Sequence, residues 1–165
     1  MPRDDAIRAA KAEAFLAEAA RWAGRRGDVA ALALVGSWAR RAARLDSDID
    51  LVLLTERPQF FRENQDWLDE IDWDSLGLFV AGWHDAEYGD IWSRHVRLGN
   101  RRSRDLLAPA PPAIPVIEFG FGRPDWASVE PLESGAARVV REGCRILFDP
   151  QGLLARLVWA LQASA

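Results

Sequence analysis

Two short apolar runs, residues 29–35 and 49–54, constrain this chain more than any other feature. Gly27 and Gly36 bound the first, and Arg57-Pro58 closes the second. Apolar runs of that length between turn signals read as buried strands. The first run ends in Gly36-Ser37. Ten residues separate Ser37 from Asp48-Ile49-Asp50, at the head of the second run. Alternate residues of a strand share a face, so Asp48 and Asp50 are expected to point the same way, about 6.5–7 Å apart at the backbone. Ile49, Leu51 and Leu53 then take the opposite face and pack a core. Two carboxylates on one sheet face are costly to hold together unless something positive lies between them, and a divalent cation meets that need. Gly36-Ser37 supplies a tight turn at a strand end, where the free N–H groups of a following helix attract phosphate. The combination points to metal-assisted chemistry on a phosphorylated substrate.

The rest of the pattern interleaves helices with strands. Residues 4–23 read as a helix: Asp4 or Asp5 caps it, and Phe15, Ala19 and Trp22 recur at helical spacing. A short helix is expected over 37–43, and another over 59–71 with Phe60, Phe61, Trp67, Leu68 and Ile71 as its apolar set. Strands are expected over 76–83, 91–98, 114–121 and 145–148. Helices are expected over 136–141 and 153–161, the last introduced by Asp149-Pro150. Residues 101–104 form a polar loop, and 109–112 a proline-rich break after which a strand resumes. The predicted class is α/β (α+β), one domain over 1–165, with a mixed β-sheet flanked by helices.

Composition narrows the partners. A chain of 165 residues, 49% hydrophobic and 28% charged, is long enough to bury a sizeable core. A net charge of −4 argues against a general nucleic-acid binder, which carries a basic surplus. Lys11 is the only lysine, so positive charge rests on arginine; base composition of the genome accounts for that as well as phosphate binding does. Cys144 stands alone, which excludes an intrachain disulfide and a cysteine-based zinc site. Arg3, Asp4, Asp5, Arg8 and Lys11 do not read as a secretory signal, and no window has the apolar length of a membrane span, so the cytoplasm is the default expectation.

A third carboxylate is expected on another strand of the same sheet. Glu118 is the isolated acid within Ile114-Pro115-Val116-Ile117-Glu118-Phe119-Gly120-Phe121. Ile117, Phe119 and Phe121 share one face, and Val116, Glu118 and Gly120 the other. A charge there is expensive unless paired or metal-bound. Glu118 suits a metal ligand, a general base for an acceptor hydroxyl, or both in turn.

Gly36, Ser37, Asp48 and Asp50, at this spacing, resemble the signature of the DNA polymerase β-like nucleotidyltransferase superfamily. The likeness is to its small bacterial members, the minimal nucleotidyltransferases and the aminoglycoside adenylyltransferase-like proteins. Arg40 matches the basic residue often found after the Gly-Ser pair; the glycine usual after it is replaced by Arg41. Glu118 fits the third acidic position. The resemblance implies a nucleotidyltransferase-like fold, an NTP substrate (ATP is expected) and Mg²⁺, with two ions possible. It also implies transfer of a nucleoside monophosphate to a hydroxyl of a small-molecule or protein acceptor. Asp48, Asp50 and Glu118 are then the catalytic and metal-binding residues, and Gly36, Ser37 and Arg40 the nucleotide-binding ones. Only a short stretch follows the Glu118 strand, without the helical domain that helps drug-modifying relatives bind their acceptor. A homodimer or a small helical partner protein is expected to complete the cleft.

Blander readings stand beside these. Asp48 and Asp50 also suit a solvated turn, Gly36-Ser37 an ordinary turn, Glu118 an outward-facing acid on an edge strand, and Arg40 surface cover. Residues 84–90 either line an acceptor pocket, with Glu87 as a base, or form a plain acidic loop. Arg94, His95 and Arg97 either approach phosphate or lie on a solvated strand face. Two other functions compete: an antitoxin-like or regulatory minimal nucleotidyltransferase acting mainly by binding a second protein, and an unrelated metal-dependent phosphohydrolase. The latter needs more ligands than His84 and His95 readily supply.

Overall fold

The structure is a computed structural model that describes residues 2–44, 47–101 and 112–164. Helix α1 (Pro2–Arg25) leads into strand β1 (Ala31–Val35), a four-residue helix α2 (Gly36–Ala39) and β2 (Ile49–Leu54). Helix α3 (Pro58–Glu63) and a 3₁₀ turn (Gln65–Glu70) precede the hairpin of β3 (Leu78–Tyr88) and β4 (Ile91–Asn100). Strand β5 (Val116–Gly122), a 3₁₀ turn (Pro124–Ala127), α4 (Ser134–Glu142), β6 (Cys144–Phe148) and α5 (Leu153–Ala163) complete the order.

One six-stranded sheet runs β3-β4-β5-β2-β1-β6. It is mixed: β2 and β5 are parallel, and every other neighbouring pair is antiparallel. The expected class therefore holds. The parallel pair exists because the β3–β4 hairpin is inserted between β2 and β5 in the chain, so β5 returns beside β2 in the same direction.

Strand alternation divides the core in two. Leu32, Leu34, Ile49, Leu51, Leu53, Ile117, Phe119 and Phe121 face α1, α3 and the first 3₁₀ turn. Aromatic rings dominate that side: Trp67 meets Phe119 and Phe121 with centroids 5.1 and 5.2 Å apart, both edge-on. Fully burying one such side chain contributes about 1.5–3 kcal/mol. Ala31, Ala33, Val52 and Leu54 face α4 and α5 on the second side, with Leu154 and Leu157 fully buried there. These two helices cover β1 and its neighbours.

Several sequence expectations change in detail. The helix expected over 37–43 stops at Ala39; Arg41 then takes a positive φ of 59° as the chain turns toward β2. The single helix expected over 59–71 is two pieces, because Asn64 is extended at φ −120° and ψ 111°. Residues 84–88 belong to β3 rather than a loop, and only Gly89-Asp90 turn the hairpin. Gly89 sits at φ 63°, the conformation its lack of Cβ permits in such a turn. Arg94 is not on a solvated face. It is fully buried, forms two hydrogen bonds with Asp85 (2.7 and 3.0 Å) and lies 3.8 Å over the Trp83 ring. Pairing and stacking together offset the cost of burying its charge. Of the polar loop and the proline-rich break, only Arg101 and Pro112 fall within the described residues.

Candidate active site

The site lies at one end of β1, β2 and β5. Strand β1 ends at Val35, paired with Asp50 of β2, and Asp50 is in turn paired with Glu118 of the parallel β5. Parallel neighbours in register project side chains to the same face, so this topology brings together two acids 68 positions apart. Asp48 lies just before β2, and both Asp48 and Asp50 are half-buried. Among the described residues, no group of three His, Cys, Asp or Glu side chains is set to hold a metal ion. The structure joins Asp50 to Glu118, with Asp48 close enough for its charge to act on Asp50.

Gly36 explains part of this geometry. Its φ is 73°, and a Cβ built there would collide with Asp50 Oδ2. The glycine that the sequence suggested would admit phosphate first makes room for the Asp50 carboxylate. Ser37 lies in the first turn of α2, and the exposed Arg40 caps its end. Arg40 is near enough to lower the pKa of Asp50 by its charge.

Electrostatically, Asp50 is the strained member. Burial, the Glu118 charge, a hydrogen bond to Glu118 and the Asp48 charge push its carboxyl up to about 7. Two carboxylates this close hold a proton between them when no cation is present. Bound positive charge would remove that penalty and leave two hard oxygen donors side by side, the donor type Mg²⁺ takes. The pair therefore fits a divalent cation.

From Asp50 and Glu118 a cavity of about 440 Å³ extends along the sheet. Val52, Gly120, Ser93 and Ile91 line its strand side, and Arg138, Val139 and Glu142 of α4 line another wall. Tyr88, Gly89 and Asp90 of the hairpin also border it. Part of the residue 84–90 segment thus reaches the site. Glu87 does not: it accepts a 2.7 Å hydrogen bond from Arg62, on the opposite face of the sheet.

Two sets of neighbours were not placed beside Glu118 by the sequence reading. The α4 residues come from a segment with no chemical motif. His95 and His84 continue the row across the sheet beside Glu118. A signal for the latter did exist. A two-residue turn at Gly89-Asp90 pairs Tyr88 with Ile91 and so places His84 opposite His95.

No curated protein matches the chain. Residues 16–93 match the family model described as a nucleotidyltransferase domain. The matched span holds Gly36, Ser37, Arg40, Asp48 and Asp50 and ends before Glu118, whose place in the site rests on the pairing of β2 with β5. That match, joined to the sheet and the carboxylate pair, supports a place for the chain in the nucleotidyltransferase superfamily.

Proposed function

We propose that this protein is a Mg²⁺-dependent nucleotidyltransferase that moves a nucleoside monophosphate from an NTP, ATP being expected, to a hydroxyl of an acceptor. The observation that carries the reading is the Asp50–Glu118 pair, hydrogen-bonded across parallel strands beside the Gly36-Ser37 turn, with the Asp50 carboxyl held near 7. Asp50 and Glu118 would hold the cation, with Asp48 as the third carboxylate of the set. When bound, Mg²⁺ supplies charge neutralisation of the phosphates and a template for in-line displacement.

The residues of the chain divide the remaining work. In this reading the backbone N–H groups after Val35, with Ser37 and Arg40, hold the departing pyrophosphate on the β1 side. The acceptor hydroxyl then enters from the opposite, β4 side, because attack at the α-phosphorus must be in line with the leaving group. A new oxygen–phosphorus bond forms there as the bond to pyrophosphate breaks. Glu118 is the acid on that side and takes the hydroxyl proton. The cavity beneath, floored by Val52 and Gly120, receives the nucleoside.

The test uses ATP labelled at the α-phosphate, incubated with the protein, Mg²⁺ and fractionated small-molecule and protein extracts. Label transferred to an acceptor together with pyrophosphate release supports the reading. Release of inorganic phosphate instead would mark a phosphohydrolase.

A further inference from the structure

Glu118 has a second polar neighbour besides Asp50. Strand pairing sets His95 opposite Glu118, and His84 opposite His95, so one row crosses four strands as Asp50, Glu118, His95, His84. Nε2 of His95 is 3.7 Å from Oε1 of Glu118; the His95 side chain is 16% exposed and that of Glu118 24%. The two imidazoles stack at 4.7 Å between centroids, with 1° between planes. The Tyr88 hydroxyl lies 3.4 Å from the same Nε2. The His95 ring is thus fixed by a stack on one side and a hydroxyl at its edge.

The consequence lies in how a glutamate is held. Its side chain has several rotatable bonds, and a ligand must be confined near its binding geometry. Asp50 restrains Glu118 from the β2 side. From the β4 side a carboxylate oxygen only accepts, so an imidazole in contact with it presents an N–H. At 3.7 Å the contact is electrostatic, and hydrogen bonds of this kind shorten when a site loads.

We propose that His95 is a positioning residue: its Nε2–H holds the Glu118 carboxylate against Asp50, with His84 and Tyr88 fixing the ring, so that the two acids present one oxygen pair to a divalent cation. This rests on the nucleotidyltransferase reading above. Groups that steady a metal ligand from behind change metal affinity or activity by roughly 10- to 100-fold when removed.

Mn²⁺ binding to the full chain, followed by electron paramagnetic resonance without nucleotide, tests it. Four variants are compared with wild type: His95→Phe, His95→Gln, His95→Ala and Glu118→Gln. The phenylalanine keeps a ring for the stack and removes the N–H; the glutamine restores an N–H donor. The expected result is weaker Mn²⁺ binding by roughly tenfold or more for Phe and Ala, with recovery toward wild type for Gln. Metal-free melting temperatures should stay together. In ATP turnover, kcat should fall in the Phe and Ala variants while KM for ATP holds. Wild-type Mn²⁺ affinity in folded His95→Phe or His95→Ala overturns the positioning role and leaves the function standing. Equal Mn²⁺ affinity in wild type and Glu118→Gln overturns both, because Glu118 is then no ligand.

Discussion

Replacing Asp50 by asparagine should make the metal-free protein more stable, and increasingly so as pH rises. The folded carboxyl titrates at about 7 against 3.8 for the free group. As pH rises through 3.8 the unfolded chain loses this proton first, so the native state binds more protons and stability falls. The loss continues until the folded group ionises near 7 and is constant above that. At about 1.4 kcal/mol per pH unit the full interval corresponds to roughly 4 kcal/mol. Asp50 is half-buried, and solvent screening cuts that to about 2 kcal/mol. Asparagine keeps a donor toward Glu118 and has no charge to desolvate. Urea unfolding in EDTA at pH 4.5 and pH 8 should give an advantage of the variant over wild type that is about 2 kcal/mol larger at the higher pH. A difference that does not change with pH, or a variant less stable than wild type at pH 8, refutes the view that the site stores electrostatic strain.

Other predictions bear on separate parts of the chain. Gly36→Ala forces a side chain onto a positive φ and into the Asp50 carboxylate; it should cost about 1–3 kcal/mol in denaturant unfolding and remove nucleotide-dependent stabilisation. Arg94→Met deprives Asp85 of its main partner and should cost about 3 kcal/mol by the same measurement. The Cys144 thiol, pushed up to about 11 by burial and then by the Asp149 charge, should react with iodoacetamide at pH 8 much more slowly than free cysteine, as mass spectrometry of the intact chain would show.

The sequence was most legible where the information is local. Gly36, Ser37, Asp48 and Asp50 lie within one strand–turn–strand segment, so their spacing alone implied a shared strand end. Glu118 was found because an acid among Ile117, Phe119 and Phe121 breaks the apolar pattern. Its partner in β2 was not specified by that pattern and follows from the parallel pairing. The helix over 59–71 looked continuous because periodicity does not register the extended Asn64 between two helical pieces. Arg94 looked solvated because its charge is cancelled by Asp85, nine residues away across the hairpin, and covered by Trp67, Trp83 and Trp92. Neither fact is visible until the hairpin register is set. The sequence left His95 between phosphate contact and a solvated face; its place beside Glu118 was illegible because Glu118 arrives from a strand beyond the hairpin.

The central claim is that Asp50 and Glu118 hold a divalent cation for a nucleotide bound beside Gly36 and Ser37. Calorimetric titration of the protein with α,β-methylene-ATP, with and without Mg²⁺, tests it most directly when wild type is set beside Asp50→Asn. Binding by wild type only when Mg²⁺ is present, and loss of that binding in a folded Asp50→Asn variant, is the predicted result. Equal binding by both proteins, or binding indifferent to Mg²⁺, would contradict it.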